Sequence, residues 1–336
     1  MAYHHTQLPF VFFLLLITTL SSFPSPSSSS SCHTSERTAL LAIKSAMGDP
    51  YVIVTWGGTS DCCEWNGVTC DSAGHVTSLD IFADVVAGTI SPAIGDLPYL
   101  TFLSFHKLTN LTGPVPSSLA KLVRLTFLRL DWNDLSGPVP GFLSRLTSLD
   151  YLNLAFNHFT GSIPPSLSSL PLSFIRLDRN QLTGPIPESL ANTRYSGNDS
   201  YLYLYLSHNN LTGPVPSSFA STRYQVIDLS RNKLTGDASF LLGSSLPLQR
   251  LDLSRNSFEF DLTHVGLPTD LVALDLNHNK IYGGIPKAFA AVPWQGFNVS
   301  YNRLCGEIPA SERFDSYYDF FHNKCLCGPP LPTPCK

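Results

Sequence analysis

Between Cys70 and Cys305 the chain has no cysteine; its eight cysteines fall in two groups, Cys32, Cys62, Cys63 and Cys70 at one end and Cys305, Cys325, Cys327 and Cys335 at the other. No C-x-x-C pair occurs, which argues against zinc. Even numbers in terminal groups read as disulfides formed in an oxidising compartment. Four cysteines allow three pairings in each group, so connectivity stays open at this point. Charge is also sparse: 14% of residues, with a net charge of −4. No Lys/Arg run exists, so the electrostatic footprint of nucleic-acid binding is missing. No apolar run is long enough to span a bilayer. The longest, Leu8 to Leu20, fits a signal-peptide core, although the first Lys or Arg is Arg37 and only His4 and His5 precede the run. A Ser/Pro-rich stretch, 21–31, follows, and cleavage is expected within it. The chain stops one residue past Cys335, which leaves no room for an anchor or kinase. A secreted, soluble, monomeric product is therefore expected. Ser-His-Asp context, Gly-rich phosphate loops and metal-ligand clusters are missing too, so neither catalysis nor a cofactor is expected.

What is present is repetition. Residues 152–164 read LNLAFNHFTGSIP, and 24 residues earlier the chain reads LRLDWNDLSGPVP. Aligned on L-x-L-x-x-N-x-L-x-G, the Asn position falls at Asp84, Asn110, Asn133, Asn157, Asn180, Asn209, Asn232, Asn256, Asn279 and Asn302, in steps of 23–29 residues. This is a leucine-rich repeat, with one short strand per coil and a return segment. The two Leu-type residues of each strand point inward, and only a stack of coils buries them. The Asn amide both donates and accepts, which serves backbone groups left unpaired at the bend. Asp84 can only accept when ionised, which suits an end coil. Gly113, Gly137, Gly161 and Gly184 permit a tight turn. Ile-Pro or Val-Pro then stiffens the return path in seven coils.

Solenoid ends must be capped. In SERTALLAIKSAMGDP, Leu40, Ile43 and Met47 share one helical face, and Asp49-Pro50 ends the helix. The expected organisation is a signal segment over 1–31, an N-terminal cap over 32–73, ten repeats over 74–309 and a C-terminal cap over 310–336. The expected fold class is a leucine-rich-repeat solenoid (α/β, mostly short parallel strands), a right-handed superhelix with disulfide-stapled caps.

DCCEWNGVTC resembles the cap of plant extracellular leucine-rich-repeat proteins, and L-x-G-x-I-P is the plant variant of the repeat. RNKLTGDASFLLGS, FEFDLTHVGL, NKIYGGIP, NRLCGEIP and FHNKCLCGPPLPTPC are similar to the polygalacturonase-inhibiting proteins. The 26-residue step around LTFLSFHKLTNLTG is similar to that family as well. The resemblance implies sequential disulfides, Cys32–Cys62, Cys63–Cys70, Cys305–Cys325 and Cys327–Cys335. It implies a cell-wall protein that binds endo-polygalacturonases of fungi or insects and blocks pectin cleavage in plant defence. Some relatives are linked instead to floral development, which makes a soluble signalling module the alternative. A third branch binds ice, a role that wants a flat, regular array unlike the mixed columns here.

Alternate strand residues point outward. The first outward column reads Ser78, Phe102, Phe127, Tyr151, Phe174, Tyr203, Val226, Arg250, Ala273, Gly296. Its aromatic run is either a binding stripe or a set of rings stiffening the sheet; a weaker option is sugar stacking against pectin. The second column contains Asp228, Asp252 and Asp275 in adjacent coils, at a cost of about 0.9 kcal/mol per pair even in water-like dielectric. Either Arg231 and Arg255 neutralise two of them, or the column awaits a cationic partner such as the cleft of a polyanion-degrading enzyme. The third column holds Asp131, Asp178 and Ser207. The resemblance puts contact positions on Asp178, Ser207, Asp228 and Gln249, with Asn153 where the family often has Asp. The expected docking set is therefore Asp131, Asn153, Asp178, Ser207, Asp228, Gln249 and Asp252 with Phe127, Tyr151, Phe174 and Tyr203. Glycosylation sequons start at Asn110, Asn198, Asn210 and Asn298. Asn110 counts against itself as a ladder position. Asn198 lies in the extra residues of the 29-residue step.

Overall fold

The computed structural model describes residues 31–192, 201–243 and 245–335. The expected signal segment up to residue 30 and the sequon at Asn198 lie outside them. The first two coils open with long strands, Val76–Thr89 and Phe102–Gly113, and the eight that follow with strands of three to five residues. Phe127–Arg129, Tyr151–Asn153, Phe174–Arg176, Leu202–Tyr205, Tyr224–Asp228, Arg250–Asp252, Ala273–Asp275 and Gly296–Asn298 pair parallel in register. Leu128, Leu152, Ile175, Leu204, Ile227, Leu251, Leu274 and Phe297 stack as a continuous buried column. The sheet is parallel except where Val68–Cys70 pairs antiparallel with the first long strand, Val76–Thr89. Beyond the bend most coils carry a second short strand, such as His158–Gly161 or Gln181–Gly184, paired parallel with its neighbours. The repeat pattern, read as one strand per coil, missed this flanking sheet. The return path is a single 3₁₀ turn, for example Ser117–Lys121, and the proline carbonyl before it accepts the first bond, as Pro116 O does from Leu119 N.

The ladder asparagines do what their chemistry allows. Asn157 Nδ2 donates to the carbonyls of Leu130, Leu154 and Ala155 at 2.8–3.2 Å, and its Oδ1 accepts from Leu135 N at 3.0 Å. Each amide thus ties its own coil to the ones before it. The residue preceding each ladder position is left-handed, with φ of 52–58° at Ala83, Lys107, Trp132, Phe156, Arg179, His208, Arg231, Arg255, His278, Tyr301 and His322. That row corrects the alignment twice. In the second coil the ladder position is Leu108, which pairs with Asp84; Asn110 is not a ladder residue. The apparent 26-residue step is an artefact of aligning on NLTG. At the other end the ladder continues to Asn323, whose Nδ2 donates to Val299 O and Phe320 O and whose Oδ1 accepts from Leu304 N. An eleventh coil therefore sits inside the segment read as the C-terminal cap.

Both caps match their expected chemistry. The helix Thr34–Ala46 buries Leu40 and Ile43, and Met47 closes it, with Met47 O accepting from Ala87 N. Buried Glu36 accepts from Val76 N at 2.5 Å and pairs with His75 Nδ1 at 2.7 Å, locking the helix to the first strand. Asp84 is an acceptor only, from Val52 N and Val85 N. The four disulfides are Cys32–Cys62, Cys63–Cys70, Cys305–Cys325 and Cys327–Cys335, the sequential pairing.

Candidate partner-binding surface

The strand face carries the expected columns, but they differ in what they offer a partner. In the first column Phe102, Phe127, Tyr151 and Phe174 stack face to face, with centroids 4.1–4.4 Å apart, and Tyr203 follows at 6.0 Å, tilted by 35°. Strand spacing of about 4.8 Å imposes this geometry on in-register rings. All five are half-buried. Their faces are occupied by one another along the row, so edges meet solvent and a sugar ring has no free face to lie on within the stack. Tyr203 is held further by its hydroxyl, which donates to Gln225 Oε1.

The third column is the main surprise. Asp131 and Asp178 are only 3% and 4% exposed, Ser207 is equally covered, and so is Asn153 in the second column beside Arg129 and Arg176. Each of these carboxylates lies beneath an arginine two residues earlier on the same strand. Arg129 Nε donates to Asp131 Oδ1 at 2.7 Å, and Arg176 Nε to Asp178 Oδ1 at 2.7 Å. His106 Nδ1 stands 2.9 Å from both Asp131 Oδ1 and Arg129 Nη2, donating to the aspartate when it carries a proton and accepting from the arginine when it does not. Burial raises the Asp178 carboxyl above its ordinary range and outweighs the guanidinium, which lowers it. Asn153 Oδ1 is used internally, accepting from Ala155 N at 3.1 Å. The middle coils of the face thus present arginine and aromatic edges over buried Asp131 and Asp178, while Asp80 in the first coil is exposed. The spacing Arg-Leu-Asp in both strands was the sequence signal for this pairing.

The C-terminal half is different. Asp228, Asp252 and Asp275 stand opposite one another on adjacent parallel strands. They accept from the residues two positions on: Ser230 N and Oγ, Ser254 N, and Asn277 N and Nδ2. Arg231 and Arg255 take part in none of the ion pairs among the described residues, so the expected neutralisation is not observed. Both leave the chain at the left-handed bend, past the strand's end. Burial, together with the neighbouring carboxylate, pushes Asp252 up and Asp275 up to about 6. A cavity of about 390 Å³ opens over these acids, walled by Tyr205 and Arg250 and floored by Ala273 and Gly296, where the aromatic column has run out. Gln249 is exposed at the entrance to the Arg250 strand.

Among the sequons, Asn298 Oδ1 already accepts from Ser300 N and Oγ, Asn210 is half-buried, and Asn110 is exposed. No helix among the described residues is long and apolar enough to cross a membrane.

A stacked parallel sheet, an asparagine ladder and a capped N-terminus define a leucine-rich-repeat solenoid. Residues 33–71 match the family model described as Leucine rich repeat N-terminal domain, and residues 148–170, 171–193, 202–222 and 270–291 match the one described as Leucine Rich Repeat. The chain is 56% identical over 311 residues to polygalacturonase inhibitor 2 of Arabidopsis thaliana, covering 91% of this chain and 93% of that one. It is 52% identical over 333 residues to the polygalacturonase inhibitor of Pyrus communis, covering 98% and 100%. Among solved structures it is similar to a plant ice-binding protein, with a TM-score of 0.86 and 44% identity, over 90% of this chain and 98% of that one. The chain belongs to the polygalacturonase-inhibitor family.

Proposed function

We propose that this chain is a secreted, cell-wall inhibitor that docks its concave face over the cleft of fungal or insect endo-polygalacturonases and so blocks pectin degradation in plant defence. The observation that carries the reading is the in-register column Asp228, Asp252, Asp275 with a cavity above it and no ion-paired cation among the described residues. An enzyme that cleaves a polyanion lines its cleft with Lys, Arg and His, and such a side chain fits an acid-lined niche with an aromatic wall. The half-buried aromatic edges beside it supply apolar contact that costs little ordering, since the rings already hold one another. Asp131, Asn153, Asp178 and Ser207 then act beneath the surface, holding the arginines and the bend in place, while Asp228, Asp252, Gln249, Phe127, Tyr151, Phe174 and Tyr203 meet the partner. Pectin itself remains a second ligand, held by edge contacts and cations rather than by ring faces.

The test is association kinetics with an inhibited enzyme. Asp228→Asn with Asp252→Asn keeps the hydrogen-bonding shape and removes charge. The association rate should fall about ten-fold at low salt and converge with wild type at high salt. Rates unchanged at every salt concentration contradict the electrostatic account.

A further inference from the structure

The eleventh coil repeats the hydrogen bonding of the tenth. Leu276 N donates to Asn298 O and Val299 N to Asp319 O, both at 2.8 Å; His278 N donates to Ser300 O and Tyr301 N to Phe321 O, both at 3.1 Å. That register carries the three outward columns past Gly296, Asn298 and Ser300 to Tyr317, Asp319 and Phe321. Tyr317–Asp319 closes as a 3₁₀ turn at this end of the stack. The ring column, interrupted at Val226, Arg250, Ala273 and Gly296, therefore resumes at Tyr317.

The end of the core is covered without this ring. Phe297, Phe314 and Phe320 do that, buried and 5.0–5.7 Å apart. Tyr317 and Tyr318 lie outside them, 43% and 70% exposed. Tyr318 meets Tyr317 edge-on at 5.7 Å, and Phe321 stands 5.5 Å from Tyr317. The Tyr317 ring is thus held before any partner arrives, which lowers the ordering cost of using it as an anchor. On its other side lies Gly296, in the last coil that lines the acidic cavity. Gly296 is not among the residues of positive φ, and a Cβ added there would meet nothing within 4 Å. The backbone does not demand a glycine, so its effect is to leave the cavity open between Tyr205 and Tyr317. Burial does most to raise the Asp275 carboxyl, and the charges of Asp252 and Asp319 add to it, which puts Asp319 on the same acidic surface.

We propose that the docking surface extends into the C-terminal cap, where Tyr317 is an aromatic anchor for the same endo-polygalacturonase that the acid column attracts; the proposal rests on the inhibitory reading above. A cationic side chain of the enzyme enters between Tyr205 and Tyr317, with its charged head over the acids and its alkyl stem along the Tyr317 ring. Asp319 supplies charge and Tyr317 supplies contact, so the two act on different rate constants.

The test uses the secreted, disulfide-intact chain and an enzyme that it inhibits. Tyr317→Ala should raise the dissociation rate about ten-fold with Tm unchanged. Asp319→Asn should slow association at low salt alone. A second measurement needs no variant: tetranitromethane nitrates exposed tyrosines, and mass analysis reads each position. Tyr317 and Tyr282 are similarly exposed, at 43% and 45%, but Tyr282 lies on the flanking sheet. In the complex Tyr317 should be protected and Tyr282 should not. Equal nitration of Tyr317 in the free and bound protein, or a Tyr317→Ala dissociation rate equal to wild type, overturns the anchor and leaves the inhibitory reading intact. No binding to any enzyme of a fungal and insect panel overturns both.

Discussion

Single carboxylates on this surface differ because of what lies above them. Asp131 and Asp178 are capped by Arg129 and Arg176, whereas Asp275 faces Asp252 on one side and Asn298 on the other. Its pKa rises from 3.8 to about 6 because burial and a neighbouring negative charge both disfavour ionisation. The sign of the consequence is fixed by linkage. A carboxyl whose folded pKa lies above its unfolded value binds protons more readily when folded, so stability falls as pH rises from about 4 through about 6 and is flat beyond. Asp252 shifts in the same direction. Asp275→Asn should therefore gain in Tm over wild type as pH increases from 4 to 7, and show little difference at pH 4. A gain of equal size at every pH contradicts this reading. The sequence showed the column but not its burial, because exposure depends on the small residues Ala273 and Gly296 in the neighbouring column and on the depth of the curved sheet.

At the scale of the coil, the ladder asparagine is the element that joins strand, bend and flank. Replacing Asn157 by Ala takes the Oδ1 acceptor from the Leu135 N–H and one donor from each of three carbonyls that keep another, at a cost of about 1–3 kcal/mol. Asn110→Ala should cost nearly nothing, since it breaks no side-chain bond. Denaturant unfolding of the two variants checks the contrast, and equal losses would return Asn110 to the ladder. The sequence misled at this point for a definite reason. NLTG in the second coil imitates the N-x-L-x-G signature, while the residue that holds the ladder place is an apolar Leu108. The Asn323 coil was hidden in the same way, because the cysteines around it read as cap. The flanking strands left no periodic signature, being two to five residues long with a single buried side chain each.

Across the whole molecule, the repeated coil and its outward columns were readable from steps of 23–29 residues, because a solenoid makes each coil's core position depend only on its neighbours, whereas the start of the C-terminal cap was not. The disulfide pairing came from family resemblance and is present in the structure. What periodicity could not convey was the polarity of the concave face: arginine over buried acid in the middle coils, half-buried acid without an ion pair in the C-terminal half. That division gives the account its central claim, a surface built to oppose a cationic cleft. The most direct test is the release of reducing ends from polygalacturonate by a panel of fungal and insect endo-polygalacturonases, with and without the secreted, disulfide-intact protein. The account predicts saturable inhibition of at least one enzyme, weakened by Asp228→Asn with Asp252→Asn. No inhibition across the panel by protein shown to be folded contradicts it.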